Sequence, residues 1–208
     1  MQHDFQYVTK KESKPVKENL EKIIHEVQNL VRDQFTFSYR FVGSSSRNMI
    51  THDCKSNIGY DFDVNISPND ENEDFTAQEI KSILINALNR VVKKYGYDYC
   101  ENSTRVITIK FKDTVHSKIV HSCDFAIVYD CEDGQQQYIR FNKSHNSYTW
   151  EYQDKGFYQL DERIDWIKHA HLWNELKSTY LSKKNRNTDS HKHSRSIFAE
   201  TVNELYNQ

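Results

Sequence analysis

The 208-residue chain lacks an excess of charge of either sign: 28 Lys and Arg stand against 30 Asp and Glu, a formal net charge of −2. Proteins that grip a duplex through its phosphates carry a basic surplus, so duplex DNA is not favoured as a partner. Long apolar runs are missing too. None approaches the roughly 18 residues a spanning helix needs, and no membrane role is expected. The cysteines, Cys54, Cys100, Cys123 and Cys131, show no C-x-x-C spacing and no signal peptide precedes them. That combination points to free thiols in a reducing compartment, the cytoplasm by default. His169-x-His171 and His191-x-His193 lack a matched second pair of ligands, so structural zinc is not expected. No internal repeat is visible. The length suits one compact domain with a core, plus a helical appendage.

Residues 1 to 13 are polar and read as a frayed end. From Pro15, Val16, Leu20, Ile23, Ile24, Val27, Leu30 and Val31 recur at three- and four-residue steps, which predicts an amphipathic helix with Pro15 in its first turn. Phe35 to Phe41 alternates strictly and predicts a strand. Thr76-Ala77-Gln78-Glu79 is a capping box, opening a helix through Ile80, Leu84 and Leu88 that stops at Gly96. Arg105 to Lys112 and His121 to Tyr129 read as strands, with Glu132-Asp133-Gly134 as turn chemistry. Gln137 to Asn142 and Ser147 to Gln153 suggest a hairpin. A helix from near Asp161 through Leu181 follows, then a polar break from Lys183 to Ser194 and a last short helix. The order predicts an α+β fold with a mixed central sheet, a core over residues 1–160 and a C-terminal helical segment over 161–208 packed on it.

The densest chemistry lies in Phe41-Val42-Gly43-Ser44-Ser45-Ser46-Arg47 and in Tyr60-Asp61-Phe62-Asp63-Val64-Asn65-Ile66. On a strand, Asp61, Asp63 and Asn65 share one face while Tyr60, Phe62, Val64 and Ile66 face a core. Two carboxylates spaced roughly 6.5 Å repel by about 2.5 kcal/mol at an effective dielectric near 20, so a cation belongs with them. Divalent metal holding a nucleoside triphosphate is one arrangement that uses such a pair. Gly43 lets the backbone approach a phosphate, and the Ser44 hydroxyl can donate to it. N–H groups from Ser45 onward would add donors if that stretch is helical. Arg47 is a candidate cation for the phosphates or a solvated surface arginine. Three acids compete for a third carboxylate role. Asp113 and Asp130 lie at strand ends, where turns recruit Asp, whereas Asp124 lies inside an apolar strand and is preferred.

At these residues the chain resembles the polymerase-beta-like nucleotidyltransferase superfamily. Gly43-Ser44 matches its Gly-Ser turn, Asp61-Phe62-Asp63 its acid-x-acid strand, and Cys123-Asp124-Phe125-Ala126-Ile127-Val128 its third acid. Asp-Phe-Asp-Val is most similar to the Glu-Phe-Asp-Val sequences of cyclic GMP-AMP synthase and oligoadenylate synthase relatives. The resemblance covers roughly residues 15 to 130, and the stretch from Ser44 to Asp61 is a few residues longer than the usual loop. It implies a magnesium-dependent nucleotidyltransferase that moves a nucleoside monophosphate from a nucleoside triphosphate such as ATP to an acceptor and releases pyrophosphate. Asp61, Asp63 and Asp124 would hold two Mg2+ ions, and Gly43, Ser44 and Arg47 the nucleotide. The acceptor stays open among a nucleotide, an RNA end, a metabolite and a protein. The rival reading is a regulatory or nucleotide-binding module that keeps the fold without catalysis. Two further features have bland and functional readings: Tyr148, Trp150 and Tyr152 as core or as a purine platform, and Lys183-Lys184-Asn185-Arg186 as a solvated linker or a contact for a polyanionic acceptor.

Overall fold

The computed structural model describes residues 3–70, 72–153 and 158–208. In chain order the first elements are β1 (Phe5–Tyr7), α1 (Lys10–Val31), β2 (Thr36–Val42), α2 (Gly43–Ser46), β3 (Thr51–Asp53), β4 (Tyr60–Asn69) and α3 (Ala77–Val91). After a 3-10 turn at Val92–Tyr95 come β5 (Glu101–Asn102), β6 (Val106–Asp113), β7 (Lys118–Asp130), β8 (Gln136–Asn142) and β9 (Ser147–Tyr152). The chain closes with α4 (Tyr158–His169), α5 (Trp173–Arg186) and α6 (Ser194–Tyr206). This is an α+β fold.

The chain divides into two compact units. The larger, Val8–Ile50 with Asn57–Gln153, holds a seven-stranded sheet in the order β2-β4-β7-β6-β5, with β8 paired to β7 and β9 to β8. The sheet is mixed: β4 and β7 run parallel, and the other pairs are antiparallel. Helices α1 and α3 bury Leu20, Ile23, Ile24, Val27, Ile80, Leu84 and Leu88 together with Phe62, Val64, Ile66, Phe125 and Ile127 of the sheet. The alternation read from the sequence of β4 is thus a core face and an opposite face.

Helix α1 begins about a turn and a half before Pro15. Thr9 caps it, its hydroxyl accepting from Glu12 N while Glu12 Oε2 accepts from Thr9 N at 2.9 Å. Pro15 therefore falls in the second turn, where its missing N–H costs one intrahelical bond. Residues 1 to 13 are also more ordered than a frayed end among those described, since β1 pairs with β3 through Phe5↔Asp53 and Tyr7↔Thr51. Strand β3 accounts for part of the extra length between Ser44 and Asp61. The capping box at Thr76 and the stop at Gly96, with φ 82°, are as the sequence implies.

The smaller unit gathers β1, β3 and α4–α6. Its helices bury Ile164, Ile167, Leu176, Tyr180, Ile197, Phe198, Val202 and Leu205. The helix expected from Asp161 through Leu181 is two helices, interrupted around His171, which takes φ 60°. The Lys183 to Arg186 cluster is no linker: it is the last turn of α5. Lys184 Nζ donates to Thr51 Oγ1 at 2.6 Å and lies 4.0 Å from the Phe5 ring centroid, Lys183 pairs with Glu204 at 2.5 Å, and Asn185 exchanges hydrogen bonds with the Phe5 backbone.

Lys81 on α3 is 1% exposed. Its Nζ donates to Ser103 O at 2.9 Å and lies 5.9 and 5.8 Å from the rings of Phe141 and Tyr148, which stack on each other at 4.6 Å. Burial pulls its pKa down to about 8. A lysine depressed in the folded state destabilises the fold below that value, and the cost fades as pH rises toward the ordinary 10.5. Lys81→Met should therefore raise stability by about 1 kcal/mol at pH 7, the desolvation relief exceeding the lost hydrogen bond. Urea melts at pH 7 and pH 10.5 check this: the gain should shrink at the higher pH.

Candidate functional site

The site is assembled by register. Strand β2 ends at Val42, which pairs with Asp63 of β4, and Asp63 in turn pairs with Asp124 of the parallel β7. One step earlier Asp61 pairs with Ser122. Side chains in lateral register on adjacent strands share a face, so Asp61, Asp63 and Asp124 stand on the side opposite Phe62, Cys123 and Phe125, which are buried in the core. The carboxylates near Cys123 add to burial in pushing its thiol pKa well up.

The chain reverses at Gly43, which adopts φ 65°. A Cβ there would lie 2.5 Å from Asp63 Oδ2 and 3.3 Å from Asp63 Cγ. Glycine is thus required twice, for the left-handed backbone and for contact with the carboxylate. Of the three serines that follow, two turn back on the chain: Ser45 Oγ donates to Val42 O at 2.8 Å, and Ser46 Oγ to Gly43 O at 2.9 Å. The Ser44 hydroxyl makes no hydrogen bond to any described residue. Helix α2 is only four residues long and Arg47 caps it, its N–H donating to Ser44 O at 3.3 Å. The Arg47 side chain is half-buried.

Hydroxyls orient two of the carboxylates. Ser122 donates to Asp61 Oδ1, and Thr108 Oγ1 on β6 donates to Asp124 Oδ1 at 2.6 Å. Burial pushes the Asp124 pKa up, and the Asp61 charge adds to it, while the Thr108 hydrogen bond and Lys110 pull the other way. The sequence reading missed Ser122 and Thr108. Ser122 was legible as the residue two before Asp124 on the same strand face; Thr108 depended on knowing that β6 pairs with β7.

Hard oxygen donors clustered on one face suit a hard divalent cation. Among the described residues, however, no three His, Cys, Asp or Glu side chains stand in a ligating array. The two rival acids are engaged in turns. Asp113 accepts from the N–H groups of Val115 and His116 at 3.1 and 3.2 Å and pairs with His116 at 2.6 Å, and Asp130 accepts from Gln136 at 2.5 Å. If Asp124 is the third acid of a nucleotidyl-transfer site, single Ala variants should separate the three: Asp124→Ala should remove turnover, by about 10²-fold or more, with Asp113→Ala and Asp130→Ala near wild type in a pyrophosphate-release assay. Loss in Asp130→Ala or Asp113→Ala with Asp124→Ala unaffected would overturn the choice.

The aromatic strand is mostly structural. Tyr148 stacks on Phe141 and accepts a hydrogen bond from Asn102 at 2.7 Å, and Trp150 is half-buried against the core; Tyr152 alone of the three is exposed.

No protein-family model matches the chain, and no match was found among curated proteins. Solved structures do match. Vibrio cholerae DncV in its apo form aligns over 91% of this chain and 51% of that chain, with a TM-score of 0.59 at 16% identity. The GTP-bound form gives a TM-score of 0.57 at 16% identity, over 91% and 51% of the two chains. The complex of DncV cyclic AMP-GMP synthase with its linear intermediate 5′ pppA(3′,5′)pG gives 0.55 at 15% identity, over 91% and 53%. The resemblance to nucleotidyltransferases thus holds at the level of the fold: this chain has the fold of DncV, which is described as a prokaryotic cGAS homologue. It spans about half the length of the structures it matches.

Proposed function

We propose that the site is a magnesium-dependent nucleotidyl-transfer centre, which moves a nucleoside monophosphate from a nucleoside triphosphate to an acceptor with release of pyrophosphate. The observation that carries this reading is the lateral run Val42, Asp63, Asp124 with Gly43 pressed against the Asp63 carboxylate. It brings a phosphate-sized turn and three acids to one patch. The fold shared with DncV, which has been solved with GTP and with a linear dinucleotide intermediate, supports it.

Asp61, Asp63 and Asp124 would hold two Mg2+ ions, which would neutralise charge on the transferring phosphate. The outer phosphates rest on the Gly43 backbone, take a hydrogen bond from the Ser44 hydroxyl and face the Arg47 guanidinium. The acceptor oxygen attacks the α-phosphorus, the bond to the bridging oxygen breaks, and pyrophosphate leaves with the electron pair. Asp124 receives the acceptor's proton. The Thr108 hydroxyl keeps it aimed. Ser122 does the same for Asp61.

The test is incubation with α-labelled triphosphates, Mg2+ and candidate acceptors of four kinds: a second nucleotide, an RNA end, a metabolite hydroxyl and a protein. Label moving from triphosphate to one of them, with pyrophosphate released in equal amount, is the expected result. Magnesium-dependent triphosphate binding without any transfer would favour the regulatory module, and no binding would remove both readings.

A further inference from the structure

Behind the acid-bearing face lies a second feature. A cavity of about 250 Å³ is lined by Lys10, Ser13, Lys14 and Lys17 of α1, by Ser45 and Asn48 beside the phosphate turn, and by Val8, Ile50 and Phe62. Lys10, Ser13, Lys14 and Lys17 fall at steps of three and four, so they form one helix face. Phe62 lies between Asp61 and Asp63 on β4, so it reaches the cavity from the side opposite to theirs.

The lining is chemically one-sided. It offers three ammonium groups and an amide over an apolar floor of Val8, Ile50 and Phe62, and no carboxylate; the Ser13 and Ser45 hydroxyls already donate to Thr9 O and Val42 O. The lysines' ion pairs are loose and run along the helix: Lys14 to Glu18 at 3.8 Å, both exposed, and Lys17 to Glu21 at 3.9 Å, both half-buried. Lys17 Nζ also lies 4.7 Å from the Phe41 ring centroid on β2. Such pairs contribute little and yield readily to a doubly charged ligand. A small cavity with a cationic rim and an apolar floor matches a compact molecule that joins a phosphate to an apolar body.

We infer that this cavity is a binding site for a small phosphorylated molecule, separate from the acid-bearing face. The phosphate meets Lys10, Lys14 and Lys17 and takes a hydrogen bond from the Asn48 amide; the body rests on Phe62. Because Phe62 and Ser45 are neighbours of the acids and of the phosphate turn, occupancy alters triphosphate affinity on the other side. That coupling rests on the function proposed above, whereas the binding itself does not.

The probes are AMP, glycerol 3-phosphate and inorganic phosphate, with adenosine as the uncharged control, titrated by calorimetry into the chain. AMP or glycerol 3-phosphate should bind saturably, at least about 10-fold more tightly than inorganic phosphate or adenosine. The combined variant Lys10→Gln, Lys14→Gln, Lys17→Gln, all on the helix surface, should weaken that binding by about 30-fold or more while its melting curve stays wild-type. Asp61→Asn with Asp63→Asn should leave it intact. Binding that survives the lysine variant, binding lost only in the Asp variant, or no saturable binding of either phosphorylated compound would overturn the assignment. If binding behaves as expected but a saturating phosphorylated probe leaves triphosphate affinity unchanged, the coupling fails and the site stands. Absence of triphosphate binding altogether would instead count against the transfer centre.

Discussion

Asp61→Asn combined with Asp63→Asn should abolish nucleotidyl transfer, with a fall of about 10³-fold or more, and should leave the melting temperature unchanged or higher. The two effects separate because the acids contribute to the site at the expense of the fold. Asp61 and Asp63 alternate on one strand face, and Asp63 meets Asp124 laterally. Like charges so close repel unless a cation stands among them. Asn keeps the shape and the hydrogen-bonding capacity of each side chain, including acceptance from Ser122. Pyrophosphate release and a thermal melt of the same preparation are the measurements. Full activity in the double variant would remove these residues from the mechanism.

Gly43→Val should weaken triphosphate binding by about 10²-fold and also lower stability by about 1–3 kcal/mol, the cost of a β-branched residue at positive φ. Backbone strain alone does not account for the binding loss, because the new Cβ would fall 2.5 Å from Asp63 Oδ2 and must displace that carboxylate. Gly134 supplies the control. It has a comparable φ of 77° with nothing within 4 Å of the position a Cβ would take. Gly134→Val should therefore lower stability to a similar degree and leave binding untouched, as read by calorimetry with a non-hydrolysable triphosphate. Equal binding losses in the two variants would reduce Gly43 to an ordinary turn.

Local signals in the sequence carried far. The alternation of Tyr60 to Ile66 identified a strand with acids on one side and core on the other because period two is imposed by the strand itself. The Thr76 capping box located α3, and the apolar bracket around Asp124 marked an acid inside a strand, which the structure sets in register with Asp63, whereas Asp113 and Asp130 serve turns. What escaped were pairings between distant segments. Strands β1 and β3 are three residues each, too short for an alternation to register, and exist because they pair with each other. Thr108 and Ser122 acquire their roles only when β6 and β7 lie in register with β4. Lys184 read as a solvated charge, yet its Nζ lies over the Phe5 ring, 179 positions earlier in the chain by subtraction of their numbers. The break between α4 and α5 escaped because apolar spacing runs on through it, while the backbone leaves the helix at His171, with φ 60°, and at Leu172.

Magnesium dependence of triphosphate binding is the sharpest check on the role given to the three acids. Calorimetric titration of a non-hydrolysable nucleoside triphosphate into the chain, with Mg2+ and with EDTA, needs no knowledge of the acceptor. If Asp61, Asp63 and Asp124 hold the metal that holds the triphosphate, affinity should fall by about 10²-fold or more in EDTA, and Asp61→Asn with Asp63→Asn should reproduce that fall in the presence of Mg2+. Affinity that is the same with Mg2+ and with EDTA, or a double variant that binds as tightly as the wild type, would contradict it.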